Sequence, residues 1–417
     1  MNLLQRSLFG VLLLSGMTAS AQDPRPAATA FRADFEEFWT TVRDEYAYWH
    51  LRSTDWDSVR RRYTRMLDTI QGKAQFVGLL EGALGELYDH HAGLNTNTAA
   101  SYRLVPTGSD LFAEYEKGRV LIRAVRPGTG AARSGIRAGM ELVTVNGVPV
   151  GEAVAQVYPR CVPQGDSTAR AYALQLVLAG THDRPRRLGL RTQGPVQLFE
   201  PDRNGSMDDY RDEGLLQARI LEGNIGYIRI ANSLGDDALI AAFDSVLQQL
   251  AGTRGLVLDL RETPSGGNTT VARALMSRFI TKESAYQRHE LPSEERRYGV
   301  RRRWVELVSP RGKPYRKPLV ILAGRWTGSM GEGITIGLEG FGRARVVGSR
   351  MAGLCGAIYS YRLPRTGIGF NIPAERLYHT DGTPRERFAR IIPAADPDAT
   401  GSTAVEAARQ LLLKASR

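Results

Sequence analysis

From about residue 216 onward, short apolar runs alternate with helical stretches, and that alternation limits the fold more than any other feature of the chain. "GNIGYIRI", "RGLVLDLR", "KPLVILAG" and "ARVVG" read as strands bounded by glycine and proline. Between them "DDALIAAFDSVLQQLAG", "NTTVARALMSRFI" and "SMGEGITIGLEGFG" read as helices, and "STAVEAARQLLLKAS" as a last one. Strands alternating with helices predict an α/β sheet covered by helices, with functional groups at the carboxyl ends of its strands.

The upstream half is built differently. In "FRADFEEFWTTVRDEYAYW", Phe35, Phe38, Trp39 and Val42 recur at helical spacing. "DWDSVRRRYTRMLDTI" opens on an aspartate cap and repeats the pattern, and a third helix, "AQFVGLLEGALGELYD", runs into "HHAGLNTNT". From about 105 to 197, short strands and glycine turns surround a small alanine-rich helix. The stretch "GRVLIRAVRPGTGAARSGIRAGMELVTVNGVPV" resembles a PDZ domain, whose kind binds chain ends by adding a strand to a sheet edge. Its carboxylate-cradling loop is poorly matched by "DLFAEYEKG".

The first 21 residues, with Arg6, the apolar "LFGVLLLSGM" and the small-residue "ASA", read as a secretory signal peptide cut after Ala21. No later run approaches ~18 apolar residues, so stable membrane insertion is not expected. The net charge of +11 is mostly arginine spread along the chain, with one cluster in "EERRYGVRRRW". For an exported protein that reads as a solvated basic surface rather than a nucleic-acid site. Cys161 and Cys355 would meet a disulfide-permissive compartment, but one pair does not make a bridge or a metal site. With no H-E-x-x-H and no phosphate-cradling glycine loop, neither a metal nor a cofactor is expected.

Two glycine-bracketed corners carry the candidate chemistry. In "RWTGSMGEG", Ser329 follows a strand and opens a helix, where backbone N–H groups lack helical partners and favour negative charge. The amide of Met330 can receive an oxyanion there, and Gly328 and Gly331 allow close approach. Thr327 stands where the lipase elbow G-x-S-x-G has its first glycine, so that motif is not met. In "DLRETPSGGN", Gly266 and Gly267 expose adjacent amides at the end of another strand. Either corner also has a plain reading, as a helix cap or a packing turn.

Taken in order, "GNIGYIRI…FDSVLQQLAGTRGLVLDLRETPSGGN…PLVILAGRWTGSMGEG…GRARVVGSRMAGLCGAIYSYRLPRTG" resembles the C-terminal processing (tail-specific) peptidases, the family that includes the tricorn protease core. The resemblance runs from about Phe31 to Asp398. It implies a crotonase/ClpP-like α/β catalytic domain at 201–417, a PDZ-like domain at 105–200 and an N-terminal helical domain at 22–104. It further implies a serine nucleophile at Ser329 and an oxyanion hole from Met330 and the "SGG" corner, Gly266 or Gly267. Bacterial members take a lysine base from a turn after "VVG", but Leu354 occupies that place here. The tricorn-like branch takes a histidine from a context resembling "ELYDHHAGL", which points to His91, with His90 as the alternative base. That branch's orienting glutamate matches Glu386 in "DGTPRERFARIIPAADPD", with Asp89 as a local alternative. Glu332, in the S-x-G-E motif, is expected to brace the turn. Thr263 stands where asparagine is usual in the "SGG" loop, and Cys355 offers a thiol in the turn vacated by the lysine.

The resulting expectation is an exported serine endopeptidase, periplasmic or secreted, acting on peptides or unfolded proteins through an acyl-enzyme, with homo-oligomers possible in the family. The alternatives are a catalytically inactive relative that binds peptides or ligands, and an esterase using a similar site.

Overall fold

The computed structural model describes residues 25–210, 214–394 and 403–415. The expected signal peptide lies outside the described residues.

Three helices, Arg25–Glu45, Trp56–Leu67 and Lys73–Gly85, bury the aromatic stripe read from the sequence. Asp55 caps the second by accepting the Ser58 N–H at 3.0 Å. Trp39 and Trp56 each donate an indole N–H to the other's carbonyl, at 2.9 and 3.0 Å, so both large rings are buried without an orphaned donor. These helices do not close a core by themselves. Phe35, Phe38, Phe76 and Leu80 pack with Leu363, Phe370 and Ile372 from far downstream.

Residues Leu111–Phe199 form a second body with its own core. Its antiparallel sheet runs in the order Leu111–Glu116, Arg119–Val125, Glu141–Val145, Leu188–Arg191, Gln197–Phe199, with Val148–Pro149 paired to the third strand. The helices Val150–Val157 and Ser167–Ala179 accompany it.

The main sheet has six strands in the order Ile391–Pro393, Ala344–Gly348, Leu319–Ala323, Gly255–Asp259, Ile225–Ile230, Leu216–Leu221. All pairs are parallel except the last. The three inner apolar runs are continuous rather than alternating because helices cover both faces. Leu256, Leu258 and Ile321 face the helices Ala238–Gln249, Thr269–Met276 and Met330–Gly340. Their neighbours Val257, Val320 and Leu322 face Ala404, Ala408 and Leu412 of the last helix, Thr403–Ala415.

A third sheet was not foreseen. Gly93–Leu94, Gly369–Tyr378, Ser284–Leu291 and Arg302–Val308 lie side by side, with Ala357–Arg362 also paired to Gly369–Tyr378. The two-residue strand Gly93–Leu94 pairs with Asn371 and Phe370 and thereby ties the histidine segment to the C-terminal half. The basic cluster is a short helix, a left-handed Gly299 and a strand. Its arginines are answered locally: Arg297 by Glu45 at 2.9 Å, Arg301 by Glu295 at 2.7 Å, Arg302 by Glu294 at 2.6 Å and Arg303 by Glu290 at 2.9 Å. Cys161 and Cys355 are both free thiols. No described helix is long and apolar enough to cross a membrane.

Candidate active site

Ser329 sits between the strand Leu319–Ala323 and the helix Met330–Gly340, half-buried, with φ 48° and ψ −108°. A residue carrying a Cβ in that region costs on the order of 1–3 kcal/mol and persists only when its surroundings over-determine it. Here they do. Glu332, fully buried, accepts the Ser329 N–H at 2.8 Å, the Gly353 N–H at 2.9 Å and the Leu354 N–H at 3.3 Å. Thr327 donates to Leu260 O at 2.9 Å and accepts the Gly324 N–H at 3.0 Å, locking the turn from below. Burial pushes the Glu332 carboxyl up to about 7, against the pull of Arg385 and the three N–H donors. Glu332 braces the turn, as its motif implied.

The "SGG" corner lies directly against the serine. Gly266 has φ +65°, and a methyl group there would stand 2.4 Å from Ser329 Cβ and 2.9 Å from Met330 N. Only glycine fits both the angle and the gap. At Gly267 a methyl would fall 2.1 Å from the Leu234 carbonyl. The two glycines are nevertheless not interchangeable. The Gly266 N–H donates to Thr263 O at 3.1 Å, whereas the amides of Gly267 and Met330 have no hydrogen-bond partner among the described residues. The Gly266 amide is thus engaged within its own turn, and its missing side chain makes room for Ser329.

His91 reaches this region through Asp89 and the Gly93–Leu94 strand. Asp89 accepts the His91 N–H at 2.9 Å, the Tyr46 hydroxyl at 2.7 Å and Arg52 Nη2 at 2.9 Å. Burial acts to raise the Asp89 carboxyl, but Arg52, Tyr46 and the His91 N–H outweigh it and hold it below the usual range. The His91 ring places Nδ1 2.7 Å from Cys355 O. A carbonyl only accepts, so that contact assigns the proton to Nδ1 and leaves the Nε2 lone pair free. Burial, reinforced by Arg385, lowers the imidazole to about 4, with the carbonyls of Cys355 and Gly356 opposing. The ring is therefore neutral at physiological pH.

Gly353, Leu354 and Cys355 connect the two halves: two of their amides hold Glu332 and the third residue's carbonyl holds His91. The Leu354 side chain lies over the serine turn, 3.3 Å from where a methyl on Gly328 would stand. Every lysine is solvent-exposed, so no Ser–Lys pairing is available. No hydrogen bond joins the Ser329 hydroxyl to either imidazole among the described residues.

His90 faces elsewhere. Its ring lies 4.5 Å from that of Tyr172, and its buried Nε2 has no partner among the described residues. Burial lowers it to about 4. It lines a cavity of about 570 Å³ between the helix Lys73–Gly85 and the β-rich body, and a smaller one of about 50 Å³ shared with Trp326 and Leu354.

Among the described residues no hydrogen bond joins Glu386 to the His91 ring, whose Nδ1 side is taken by Cys355 O. The Glu386 carboxyl is raised by burial, and its buried Oε2 has no partner among the described residues. Its neighbour Arg385, which sequence reasoning missed, donates from Nη2 to Leu354 O at 3.2 Å and Gly356 O at 2.6 Å, clamping the linking turn. Nothing in the "RER" pattern marks that buried cation, because its partners are backbone carbonyls. Burial pushes the Cys355 thiol well up, so it stays protonated and is not a nucleophile.

The region combines a strained serine at a helix mouth, amides without a partner among the described residues and a neutral histidine held through Cys355 O, groups that serine-type hydrolysis can use. Residues 224–395 match Peptidase family S41 and residues 27–85 match the Tricorn protease C1 domain. The α/β half of the chain is thus a Peptidase family S41 domain. It is 27% identical over 351 residues to the chloroplastic C-terminal processing peptidase of Tetradesmus obliquus, covering 79% of this chain and 70% of that one. It is 26% identical over 360 residues to tricorn protease homolog 1 of Streptomyces coelicolor, covering 82% of this chain but only 30% of that much longer protein. In fold it is similar to mature CPAF (TM-score 0.62, 17% identity, 93% and 97% of the two chains). It is similar also to the photosystem II D1 C-terminal processing protease (TM-score 0.56, 19% identity, 92% and 97%).

Proposed function

We propose that the protein is an exported serine endopeptidase in which Ser329 and His91 replace the Ser–Lys dyad. Ser329 Oγ attacks the scissile carbonyl carbon while its proton passes to His91 Nε2. The oxyanion that forms accepts hydrogen bonds from the Met330 and Gly267 amides. As the C–N bond breaks, the imidazolium returns the proton to the leaving amine, and a serine ester remains. Water then attacks the ester through the same base, releasing the acid and restoring the hydroxyl. The Cys355 carbonyl does what a carboxylate does in the familiar triad: it fixes the tautomer and ring orientation.

The observation that carries this reading is the continuous link from the Ser329 amide through Glu332 and the 353–355 turn to His91 Nδ1. The test is cleavage of casein or an unfolded peptide by the Ser329→Ala and His91→Ala variants. Both are expected to lose at least ~10³-fold, the scale on which members of such a unit act. Undiminished cleavage by S329A rules the mechanism out. The missing hydrogen bond between the hydroxyl and either imidazole favours one rival, a binding-only relative. A fluorophosphonate probe that fails to label Ser329 would support that rival.

We read the Leu111–Phe199 body as PDZ-like. Its edge strand Leu111–Glu116 faces the helix Ser167–Ala179, where Gln175 Nε2 donates to Ala113 O at 2.7 Å. A peptide adding to that edge has to displace Gln175.

A further inference from the structure

The sharp corner at 262–268 has to be held against the serine by something outside itself, and the connection between the strand Ile225–Ile230 and the helix Ala238–Gln249 does this. Its centre is Asn232. The Asn232 Oδ1 accepts the Ser265 N–H at 3.0 Å and its Nδ2 donates to Ser265 Oγ at 3.0 Å. Its own backbone N–H donates to Glu262 O at 2.8 Å, so one residue grips the loop at both ends of its bend. Two residues on, Leu234 O accepts the Asn268 N–H at 3.2 Å, and the Leu234 carbonyl is the wall against which Gly267 packs. Asn232 adopts φ +40°, a region that asparagine tolerates better than other residues with a side chain. Its side chain is half-buried at the wall of a cavity of about 400 Å³ that also touches Tyr210 and Arg126.

We propose that Asn232 is a positioning residue for the oxyanion hole: its amide group sets the height of the Ser265–Gly267 corner over Ser329 and so aims the Gly267 N–H. The inference rests on the reading of Ser329 as nucleophile. Asn232 makes no hydrogen bond to Ser329 among the described residues and acts through Ser265. Its Oδ1 and one Nδ2 hydrogen are engaged by Ser265, which commits the amide group to the corner. Without that group the corner keeps its glycines but loses its register, and the transition state loses a donor while the bound substrate loses almost nothing.

The experiment compares wild type, N232A, N232D and S265A for kcat and KM on one cleaved peptide, with fluorophosphonate labelling rates and melting temperatures alongside. N232A is expected to lower kcat and the labelling rate by 10- to 100-fold at nearly unchanged KM. S265A keeps the backbone bond to Asn232 and is expected to lose less than tenfold. N232D keeps an acceptor for the Ser265 N–H, the serine hydroxyl turning to donate, and is expected to recover part of the loss. A kcat within threefold of wild type in N232A overturns the proposal, as does a loss that falls on KM. If N232A does not fold, N232D and S265A both equal to wild type decide against it, and S265A below wild type with KM unchanged decides for it. A wild-type protein that neither cleaves nor labels would instead sink the reading of Ser329, leaving this inference without its premise and therefore rejected with it.

Discussion

Replacing Gly266 by alanine is the sharpest perturbation of the corner that faces the serine. The added methyl would stand 2.4 Å from Ser329 Cβ and 2.9 Å from both Ser329 Oγ and Met330 N. Non-bonded carbons rest about 3.5–4.0 Å apart, so the two turns must separate by about 1 Å. The φ of +65° adds strain of its own. Stability should fall by about 1–3 kcal/mol, the usual cost of overpacking. Catalysis should suffer more, because a displacement of about 1 Å at a reacting centre costs on the order of 10²-fold. Loss of one oxyanion donor costs about 2.7–4 kcal/mol of transition-state stabilisation, or roughly 10²–10³ in kcat. The assay is steady-state cleavage of a fluorogenic peptide at a temperature where thermal melting shows the variant folded. A folded G266A with kcat within about threefold of wild type would show that this corner is not part of the site.

Other consequences are as direct. His90 and His91 are held near 4 when folded, against 6.5 unfolded, so the stability they contribute is complete above pH 6.5. It is lost as pH falls toward 4, and a melting series across that window should show the drop. The same depressed value places the acid limb of kcat/KM near 4; a limb near 6.5 would mean that another group, or a differently placed ring, is the base. Glu332→Gln turns one of the two oxygens that accept the Ser329, Gly353 and Leu354 amides into a donor and should cost about 1–3 kcal/mol in a denaturant titration, with a slower Ser329, because a buried donor is left unmet. Arg52→Ala leaves Asp89 buried without its cation and should cost about 3–5 kcal/mol, read from the same titration.

The parts of the fold that local patterning controls were readable. Apolar runs at 225–230, 255–259 and 319–323 mark the main sheet because both of its faces are covered. The helices Arg25–Glu45 and Trp56–Leu67 announce themselves by their aromatic spacing and the Asp55 cap. The third sheet was not readable. Its strands include one of only two residues and one, Ser284–Leu291, whose alternation is interrupted by a bulge between Ala285 and Gln287. Ser329, Met330 and the two glycines stood out because their geometry demands particular residues. The Cys355 carbonyl that holds His91 did not, since a backbone acceptor leaves no trace in residue type. For the same reason Arg385 escaped notice. The hydrogen bond from the Gly266 N–H to Thr263 O, which sets the two glycines apart, is not revealed by spacing alone.

The most direct measurement is the rate at which a fluorophosphonate probe labels Ser329, compared at pH 7 among wild type, His91→Ala and His90→Ala. The account predicts labelling of Ser329 in wild type, near-complete loss in H91A and little change in H90A. Labelling that survives in H91A and disappears in H90A would contradict it and transfer the proton to the other ring.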